Sequence, residues 1–238
     1  MDQMNRRNFV KAAVAAAAGM AIPAAAFASE AKDSAKSDAP AALDSLGTAT
    51  NFNVVAESTT KVGTTLENLK TAITGETGAT TKYAAFAKVA EEAGYSQIAR
   101  LFTCTADAEK IHIELEYGLI TAEEPDFERP TAEAPAEAPT DLNLISGANG
   151  EIYETSDMYP SFIAKAAEEG KDDAVDVFTR AKLAEGYHAA LYLDAYNYID
   201  TPDEDKFYLC PICGYIHKGD DFVACPICGA PKSAFKEY

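Results

Sequence analysis

Residues 109–112 read Glu-Lys-Ile-His, and residues 185–188 read Glu-Gly-Tyr-His. Because a helix turns once every 3.6 residues, each motif places a carboxylate and an imidazole on one helix face. The second motif repeats the first at a fixed offset along the chain, and other chemically distinctive residues repeat at the same offset. These pairs are Tyr83 with Tyr159, Phe86 with Phe162, Gly94 with Gly170, and Phe102 with Phe178. The repeat predicts two helix hairpins related by a pseudo-twofold axis.

Four helical segments carry this repeat, and we predict them at residues 58–93, 95–121, 143–170 and 172–199. Gly94 and Gly170 lie where each hairpin turns, which is typical of a glycine at a helix C-terminus. Residues 121–140 are rich in proline and cannot form a helix interior, so they predict a long connection between the second and third helices. The fold class is therefore mainly α, a four-helix bundle with a long crossover.

The other two predicted helices also carry glutamates: Glu76 in the first, and Glu151 and Glu154 in the third. Carboxylates can bridge two metal ions and neutralise their charge, and imidazole is a suitable ligand for iron. Glutamates from two helices with Glu-x-x-His from the other two form the ligand pattern of di-iron bundles. The alternative interpretation is a set of surface glutamates with two core histidines. The two motifs in register, each at nearly the same interval after an upstream glutamate, favour a di-metal site.

Two tyrosines share a helix face with these glutamates. Tyr83 follows Glu76 by seven residues, and Tyr159 follows Glu151 by eight. Their hydroxyls are predicted to donate hydrogen bonds to ligand carboxylates, which would orient those ligands. Core tyrosines with a polar tip are the alternative, and the two interpretations are compatible.

Four of the five cysteines lie close to the C-terminus, as Cys-Pro-Ile-Cys-Gly at 210–214 and again at 225–229. The pattern C-x2-C-x11-C-x2-C indicates a tetrahedral four-thiolate metal site. Zinc is the competitor of iron here, and the Cys-Pro-x-Cys-Gly form together with the preceding bundle favours iron. The predicted ligands are Cys210, Cys213, Cys225 and Cys228.

Two residues capable of binding metals are assigned to neither site. Cys104 stands alone, five residues before Glu109, and we interpret it as a small buried hydrophobic residue. His217 lies between the two cysteine pairs and is expected to be exposed, because four thiolates already complete that site.

The N-terminus has the three regions of a signal peptide. Arg6-Arg7 precede an apolar, alanine-rich stretch from Ala12 to Ala26, and Ala26-Phe27-Ala28 offers small residues for cleavage. The paired arginines resemble the twin-arginine export signal. The sequence therefore predicts a signal peptide at 1–28 and an exported, periplasmic protein. Alternatives are an uncleaved signal acting as a membrane anchor and an ordinary basic helix.

The remaining chain divides into three parts. Residues 29–51 are rich in Ala, Ser, Asp and Lys and lack apolar periodicity, which predicts a disordered spacer. The bundle is predicted at 52–200 and the cysteine domain at 205–238. The formal net charge of −18 makes nucleic acid and anionic membrane surfaces poor partners.

These motifs together resemble the rubrerythrin family over about residues 52–238. The resemblance rests on Gly75-Glu76, on both Glu-x-x-His motifs, on Gly150-Glu151-x-x-Glu154 leading into Met158-Tyr159-Pro160, and on the two cysteine pairs. It implies a ferritin-like di-iron four-helix bundle followed by a small rubredoxin-like metal-binding domain with one iron. The implied di-iron ligands are Glu76, Glu109, Glu151, Glu154, Glu185 and His188, with His112 exchanging with Glu154 when the oxidation state changes.

The resemblance further implies a function. Family members are similar in being homodimers that reduce hydrogen peroxide to water, with electrons arriving through the four-cysteine iron, commonly that of the partner subunit. Such proteins defend against oxidative stress. Because the export signal separates this chain from cytoplasmic reductants, its electron donor is unidentified. Two alternatives stay open, a ferroxidase or iron-handling protein and a non-catalytic peroxide sensor; the rechargeable cysteine site argues against iron storage.

Overall fold

The computed structural model describes residues 58–201 and 203–238. The predicted signal peptide at 1–28 and the predicted spacer at 29–51 lie outside the described residues, as does the start of the predicted bundle.

The first hairpin consists of helices α1 (Thr65–Glu92) and α2 (Ser96–Glu123). Helix α1 begins seven residues later than predicted because Thr64 and Glu67 form a capping box. The Thr64 side chain accepts a hydrogen bond from the Glu67 backbone N–H, and the Glu67 carboxylate accepts one from the Thr64 backbone N–H. The chain turns between the helices at Gly94, whose φ is +84°.

The second hairpin starts with helix α3 (Thr140–Tyr153), which continues through a π-helical turn (Glu154–Met158) into helix α4 (Tyr159–Glu168). Helix α5 (Asp172–Asn197) follows the turn at Gly170, whose φ is +68°. Together α3, the π turn and α4 make up the predicted third helix, so the described chain forms the four-helix bundle that the repeat predicts. The π turn was not predicted.

The first residues of the proline-rich connection from α2 to α3 pack against α2. Arg129 donates to both carboxylate oxygens of Glu114, at 2.5 and 2.8 Å, and its guanidinium lies 3.9 Å from the ring centroid of Tyr117. Phe127 packs against the same tyrosine ring. These contacts fix the long crossover without a helix of its own.

Two apolar clusters fill the bundle on either side of a buried polar layer. One includes Ala90 and Ile98, which flank the Gly94 turn. The other includes Ala166 and Ala174, which flank the Gly170 turn. Because the hairpins run in opposite directions, the residues that the repeat relates are divided between the two clusters.

The cysteine domain is built on a three-stranded antiparallel sheet in the order β2-β1-β3, from β1 (Phe207–Leu209), β2 (Ile216–Lys218) and β3 (Lys236–Glu237). A short 3₁₀ helix (Lys232–Ala234) precedes β3. Apolar residues of β1 and β2 join the cluster beside the Gly94 turn. The domain therefore packs against its own bundle. Among the described helices, none has the length and apolar character needed to cross a bilayer.

We predict that Gly94→Ala and Gly170→Ala each lower the free energy of unfolding by about 1–2 kcal/mol, because a Cβ disfavours their left-handed backbone. No atom lies within 4 Å of the added Cβ at either site, so the cost is that of the backbone. Gly78→Ala, inside α1 and equally free of contacts, is the matched control and should gain about 1 kcal/mol. Urea unfolding of the three variants measures both signs; a loss at Gly78 equal to that at Gly94 would contradict the explanation.

Candidate metal centres

The polar layer of the bundle contains two adjacent groups of potential metal ligands. Within each group, one ligand atom from every residue lies within 4.8 Å of the others. Glu109 and Glu185 belong to both groups, so their carboxylates can bridge two ions. The first group is Glu76, Glu109, His112 and Glu185, and the second is Glu109, Glu151, Glu185 and His188.

Each of the four long helical segments contributes to this layer, and the histidines enter it through the same ring atom. His112 Nδ1 lies 2.8 Å from Glu185 Oε1 and 3.1 Å from Glu109 Oε2. His188 Nδ1 lies 2.7 Å from Glu185 Oε2 and 3.5 Å from Glu151 Oε2. Both Nδ1 atoms thus face the space between the carboxylates.

Glu154 is the one predicted ligand of the bundle that joins neither group. It begins the π turn, and at 9% exposure it is the least buried of the seven predicted ligands. The turn is held to α5 by the Thr155 hydroxyl, which donates to the Lys182 carbonyl at 2.8 Å. Single π turns inside helices occur often at functional sites.

A sequence signal for this turn was present. Tyr83 follows Glu76 by seven residues, whereas Tyr159 follows Glu151 by eight. A π turn, with its i→i+5 hydrogen bonds, accommodates one extra residue in a helix without changing the face on which the flanking residues lie. The extra residue of the second half is therefore absorbed between Glu151 and Tyr159.

The two tyrosines connect the hairpins to each other. Tyr83 on α1 donates a hydrogen bond to Glu151 Oε1 on α3, and Tyr159 on α4 donates to Glu76 Oε1 on α1. Each phenol therefore orients a carboxylate of the opposite hairpin, while both rings are fully buried.

Sequence reasoning missed Glu116, which is also fully buried in α2. Its Oε1 lies 3.1 Å from the Tyr159 hydroxyl. It follows Glu109 by seven residues and His112 by four, a spacing that places it on the same helix face and could have revealed it.

The four sulfur ligands of the C-terminal domain converge as predicted from their spacing. Cys210 Sγ lies 3.5 Å from Cys228 Sγ, Cys213 Sγ lies 3.5 Å from Cys225 Sγ, and none of these four cysteines forms a disulfide. A tetrahedral site with metal–sulfur distances of about 2.3 Å has sulfur–sulfur distances of about 3.8 Å. The four sulfurs are therefore spaced for one metal ion.

Comparison with known proteins identifies both parts of the chain. The rubrerythrin family profile matches residues 67–196, and the profile "Rubrerythrin, rubredoxin-like domain" matches residues 208–236. Nigerythrin of Nitratidesulfovibrio vulgaris is 67% identical over 190 residues, which cover 80% of this chain and 94% of that protein. The chain belongs to the rubrerythrin family. Its centres are the di-iron site of the bundle and the four-cysteine site of the rubredoxin-like domain.

Other relatives agree with this assignment. Rubrerythrin of the same organism is 35% identical over 165 residues, which cover 65% of this chain and 83% of that protein. The structure titled "Fully reduced state of nigerythrin (all ferrous)" has a TM-score of 0.76 and 68% identity, and it covers 80% of this chain and 95% of that chain. Rubrerythrins are di-iron proteins known from oxidative-stress defence and are typically oxidoreductases.

The twin-arginine signal profile matches residues 3–23, which indicates that this member of the rubrerythrin family is exported.

The buried polar layer of this rubrerythrin fits metal ions better than it fits protons alone. Burial and the neighbouring carboxylates raise the pKa of Glu109 and Glu154 well above the usual value, and that of Glu151 to about 7. Cations at the centre would compensate this repulsion. Several inward atoms are buried without a hydrogen-bond partner: Glu76 Oε2, Glu109 Oε1, Glu151 Oε2 and both carboxylate oxygens of Glu185.

The rubredoxin-like domain contacts both bundle histidines directly. His112 Nε2 donates to the Cys213 carbonyl at 3.1 Å, and His188 Nε2 donates to the Gly214 carbonyl at 2.9 Å. Because a carbonyl can only accept, these bonds place the ring proton on Nε2 and leave Nδ1 free to bind metal.

Gly214 is required at this contact for two reasons. Its φ is +75°, and a Cβ at this position would lie 2.4 Å from His112 Nε2. The equivalent Gly229 of the second cysteine pair has a φ of +77° but no atom within 4 Å of such a Cβ.

Two further expectations have different outcomes. Cys104 is fully buried, as expected of a small hydrophobic residue. His217 was expected to be exposed, but its side chain is only 21% exposed. Both ring nitrogens are hydrogen-bonded, Nδ1 with the Tyr215 hydroxyl at 2.9 Å and Nε2 with Asp221 Oδ1 at 3.0 Å, which explains the partial burial.

We predict that the metal-free protein loses stability as the pH rises from about 4.5 to about 7. The folded-state pKa of Glu151, about 7, lies above its ordinary value of 4.5, so its contribution is complete below 4.5 and is lost as the pH rises through 7. The raised pKa values of Glu109 and Glu154 act in the same direction. Burial by itself would raise the pKa of Glu185, but the charges of His112 and His188 lower it. The contribution of Glu185 to stability therefore changes only below pH 4.5.

Urea unfolding of metal-free protein across this pH range measures the effect. Anaerobic addition of ferrous iron should restore stability most strongly at the upper end, where the carboxylates are ionised. A metal-free stability that is constant or rises between pH 4.5 and 7 would contradict the prediction.

Proposed function

We propose that this protein is a di-iron peroxidase that reduces hydrogen peroxide to water with electrons relayed through its four-cysteine iron. The observation that carries the proposal is the pair of hydrogen bonds from His112 and His188 to the carbonyls of Cys213 and Gly214. Both imidazoles that would bind the di-iron site thereby contact the backbone of the cysteine site. A storage or sensing protein has no need for such a connection.

The ligand assignment is part of this proposal. Glu109 and Glu185 would bridge the ions, Glu76 and His112 would complete one position, and Glu151 and His188 the other. Two ferrous ions held there would supply the two electrons that cleave the oxygen–oxygen bond of peroxide.

We assign Glu154 as the exchanging ligand that the family resemblance implies. It lies on the π turn outside both groups, while His112 lies within the first. Gly75 faces it without a side chain: a Cβ built there would lie 3.9 Å from Glu154 Oε1. The carboxylate therefore has room on the side of α1, and the π turn is a local element that can adjust without moving a whole helix.

The remaining residues prepare the site. Tyr83 and Tyr159 hold Glu151 and Glu76 in orientation, while the two apolar clusters exclude bulk water. The Nε2 hydrogen bonds hold both imidazoles in the tautomer that binds metal.

Cellular context completes the proposal. The export signal supports a periplasmic location, where the electron donor is unidentified, and the family resemblance favours a homodimer. The described chain brings its own cysteine site to its own bundle, so electron relay within one subunit is possible in addition to relay between subunits. Iron handling is the second candidate, and assembly into a cage rather than a dimer would favour it.

We predict that anaerobically reduced protein consumes one peroxide per two electrons and regains its iron–thiolate colour. Glu185→Ala removes a carboxylate shared by both ligand groups and should lower this turnover by about 100-fold or more, since even outer partners of metal ligands contribute 10–100-fold. Asp176→Ala on the same helix removes only an exposed carboxylate paired with Arg180 and serves as the control. Full iron content with retained turnover in Glu185→Ala would count heavily against the proposal.

A second prediction concerns the electron path. Gly214→Ala should slow recolouring of the cysteine site after peroxide by about tenfold or more, because the added Cβ displaces the carbonyls that bind the two imidazoles. Gly229→Ala introduces the same backbone strain without touching the bundle, so it controls for loss of stability. Stopped-flow absorbance compares the two variants; equal rates would exclude the contact as the electron path.

A further inference from the structure

The two cysteine loops, residues 210–214 and 225–229, have the same backbone geometry. In each loop the glycine N–H donates to the carbonyl of the first cysteine, at 3.1 Å in the first loop and 3.0 Å in the second. The two glycines adopt φ values of +75° and +77°. The loops therefore offer the same backbone groups, and what distinguishes them is what surrounds each of them.

The first loop is covered by the bundle, and the second is not. Cys213 and Gly214 are buried, and their carbonyls accept the hydrogen bonds from the two bundle histidines. Of the five cysteines, Cys228 alone is not buried, and the neighbouring Gly229 is exposed. The second loop is thus the side on which the cysteine site can be approached from solvent.

The surface at the second loop is apolar and uncharged. Residues 222–231 read Phe-Val-Ala-Cys-Pro-Ile-Cys-Gly-Ala-Pro, and they contain no acidic or basic side chain. Val223 is 86% exposed, the largest exposure among the large apolar side chains of the described chain. Exposed apolar groups of this kind, gathered beside a functional centre, are typical of a contact surface for another molecule. We call the accessible members of this stretch the outer patch: Val223, Ala224, Pro226, Cys228 and Gly229.

The charges next to the outer patch are mainly negative. Asp221, which directly precedes the uncharged stretch, has a side chain that is 90% exposed. Lys232, which directly follows the stretch, is paired with Asp220 at 3.0 Å, so its charge is compensated. The whole chain carries a formal net charge of −18. A partner with basic residues around an apolar contact face complements this surface, whereas a second copy of the chain carries the same negative charge.

We propose that the outer patch is the docking site of the external electron donor, a soluble one-electron carrier protein whose apolar contact face is surrounded by basic residues. In each encounter the donor is oxidised by one electron and the four-cysteine centre is reduced by one. No bond forms or breaks, and no proton is transferred. Two encounters supply the two electrons that one peroxide consumes.

The inference rests on the proposed function, which requires an electron donor and leaves it unidentified. The two cysteine loops provide separate faces, so a donor can dock at the second loop while the first stays bonded to His112 and His188. Because electron transfer slows steeply with distance, a donor gains most by approaching the least covered cysteine, Cys228. A small contact surface also suits the transient complexes that electron-transfer proteins form.

Calorimetry with a cationic cytochrome c as the probe tests docking without turnover. The full chain is used with zinc in place of iron at the cysteine site, so that no electron passes. Wild-type protein should bind the probe at low ionic strength, and the affinity should fall as salt is added. Val223→Lys should lower the affinity by about tenfold or more, because it places a like charge in the contact. Since this side chain is 86% exposed, the substitution leaves the fold intact.

The matched control is Val62→Lys, which makes the same change in net charge at another exposed valine. Val62 precedes α1, whose first residue, Thr65, is bonded to Glu169 beside the Gly170 turn. The cysteine domain packs at the opposite end of the bundle, beside the Gly94 turn. The control should therefore bind the probe as wild-type protein does.

Stopped-flow kinetics of the iron-loaded protein provides a second comparison. Electron exchange with the cytochrome should slow by about tenfold or more in Val223→Lys, in parallel with the loss of affinity. Reduction by dithionite, a small inorganic donor that needs no docking surface, should keep its wild-type rate in this variant. A defect in the structure of the cysteine site would slow both reactions.

Four results would overturn the inference: no binding of the cationic probe to wild-type protein at low salt, equal affinity of Val223→Lys and Val62→Lys, an equal loss of rate with dithionite, or conversion of a dimer to a monomer by Val223→Lys. The last would show that a second copy of the chain covers the outer patch. If wild-type protein consumes no peroxide, the proposed function fails, and the binding comparison still decides whether the outer patch is a docking site.

Discussion

The buried carboxylates of the bundle repel one another, and the architecture around them keeps them close despite that repulsion. Glutamates from all four helical segments converge on one layer between two apolar clusters. In the absence of cations they would take up protons, as the raised pKa values of Glu109 and Glu154 indicate. Metal binding would therefore stabilise the folded chain, since cations in this layer would relieve the repulsion among the carboxylates of the core.

The two bundle histidines also contact the second metal centre, the cysteine domain. Each ring faces the carboxylates with Nδ1 and a cysteine-domain carbonyl with Nε2. Each imidazole thus connects the carboxylate layer directly to the backbone of the cysteine domain, His112 to Cys213 and His188 to Gly214. The absence of a side chain at Gly214 permits this approach, because a methyl group there would overlap His112. The close approach of the two domains at this point therefore depends on the absence of a Cβ at residue 214.

Much of this arrangement could be predicted from sequence because it is periodic. The constant offset of the repeat predicted the helices, and the motif spacings predicted which residues face inward. Helix boundaries depended on local chemistry, as at the Thr64 capping box. The contact between the histidines and the cysteine domain could not be predicted, because no pattern in either segment specifies which surface packs against the other. The π turn could have been predicted from the eight-residue spacing of Glu151 and Tyr159, where Glu76 and Tyr83 are separated by seven. Glu116 could have been predicted because it follows Glu109 by seven residues.

Two departures from the repeat each add a buried acid to the polar layer, Glu154 and Glu116. When Glu76 is aligned with Glu151, the position of Glu154 corresponds to Ala79, so only the second hairpin has a carboxylate at this position. Among charged neighbours, Glu76 acts most strongly on the pKa of Glu154, as it does on that of Glu116. The near-twofold fold is therefore asymmetric in this layer, because the strongest charged neighbour of both additional acids is Glu76, which belongs to one ligand group only.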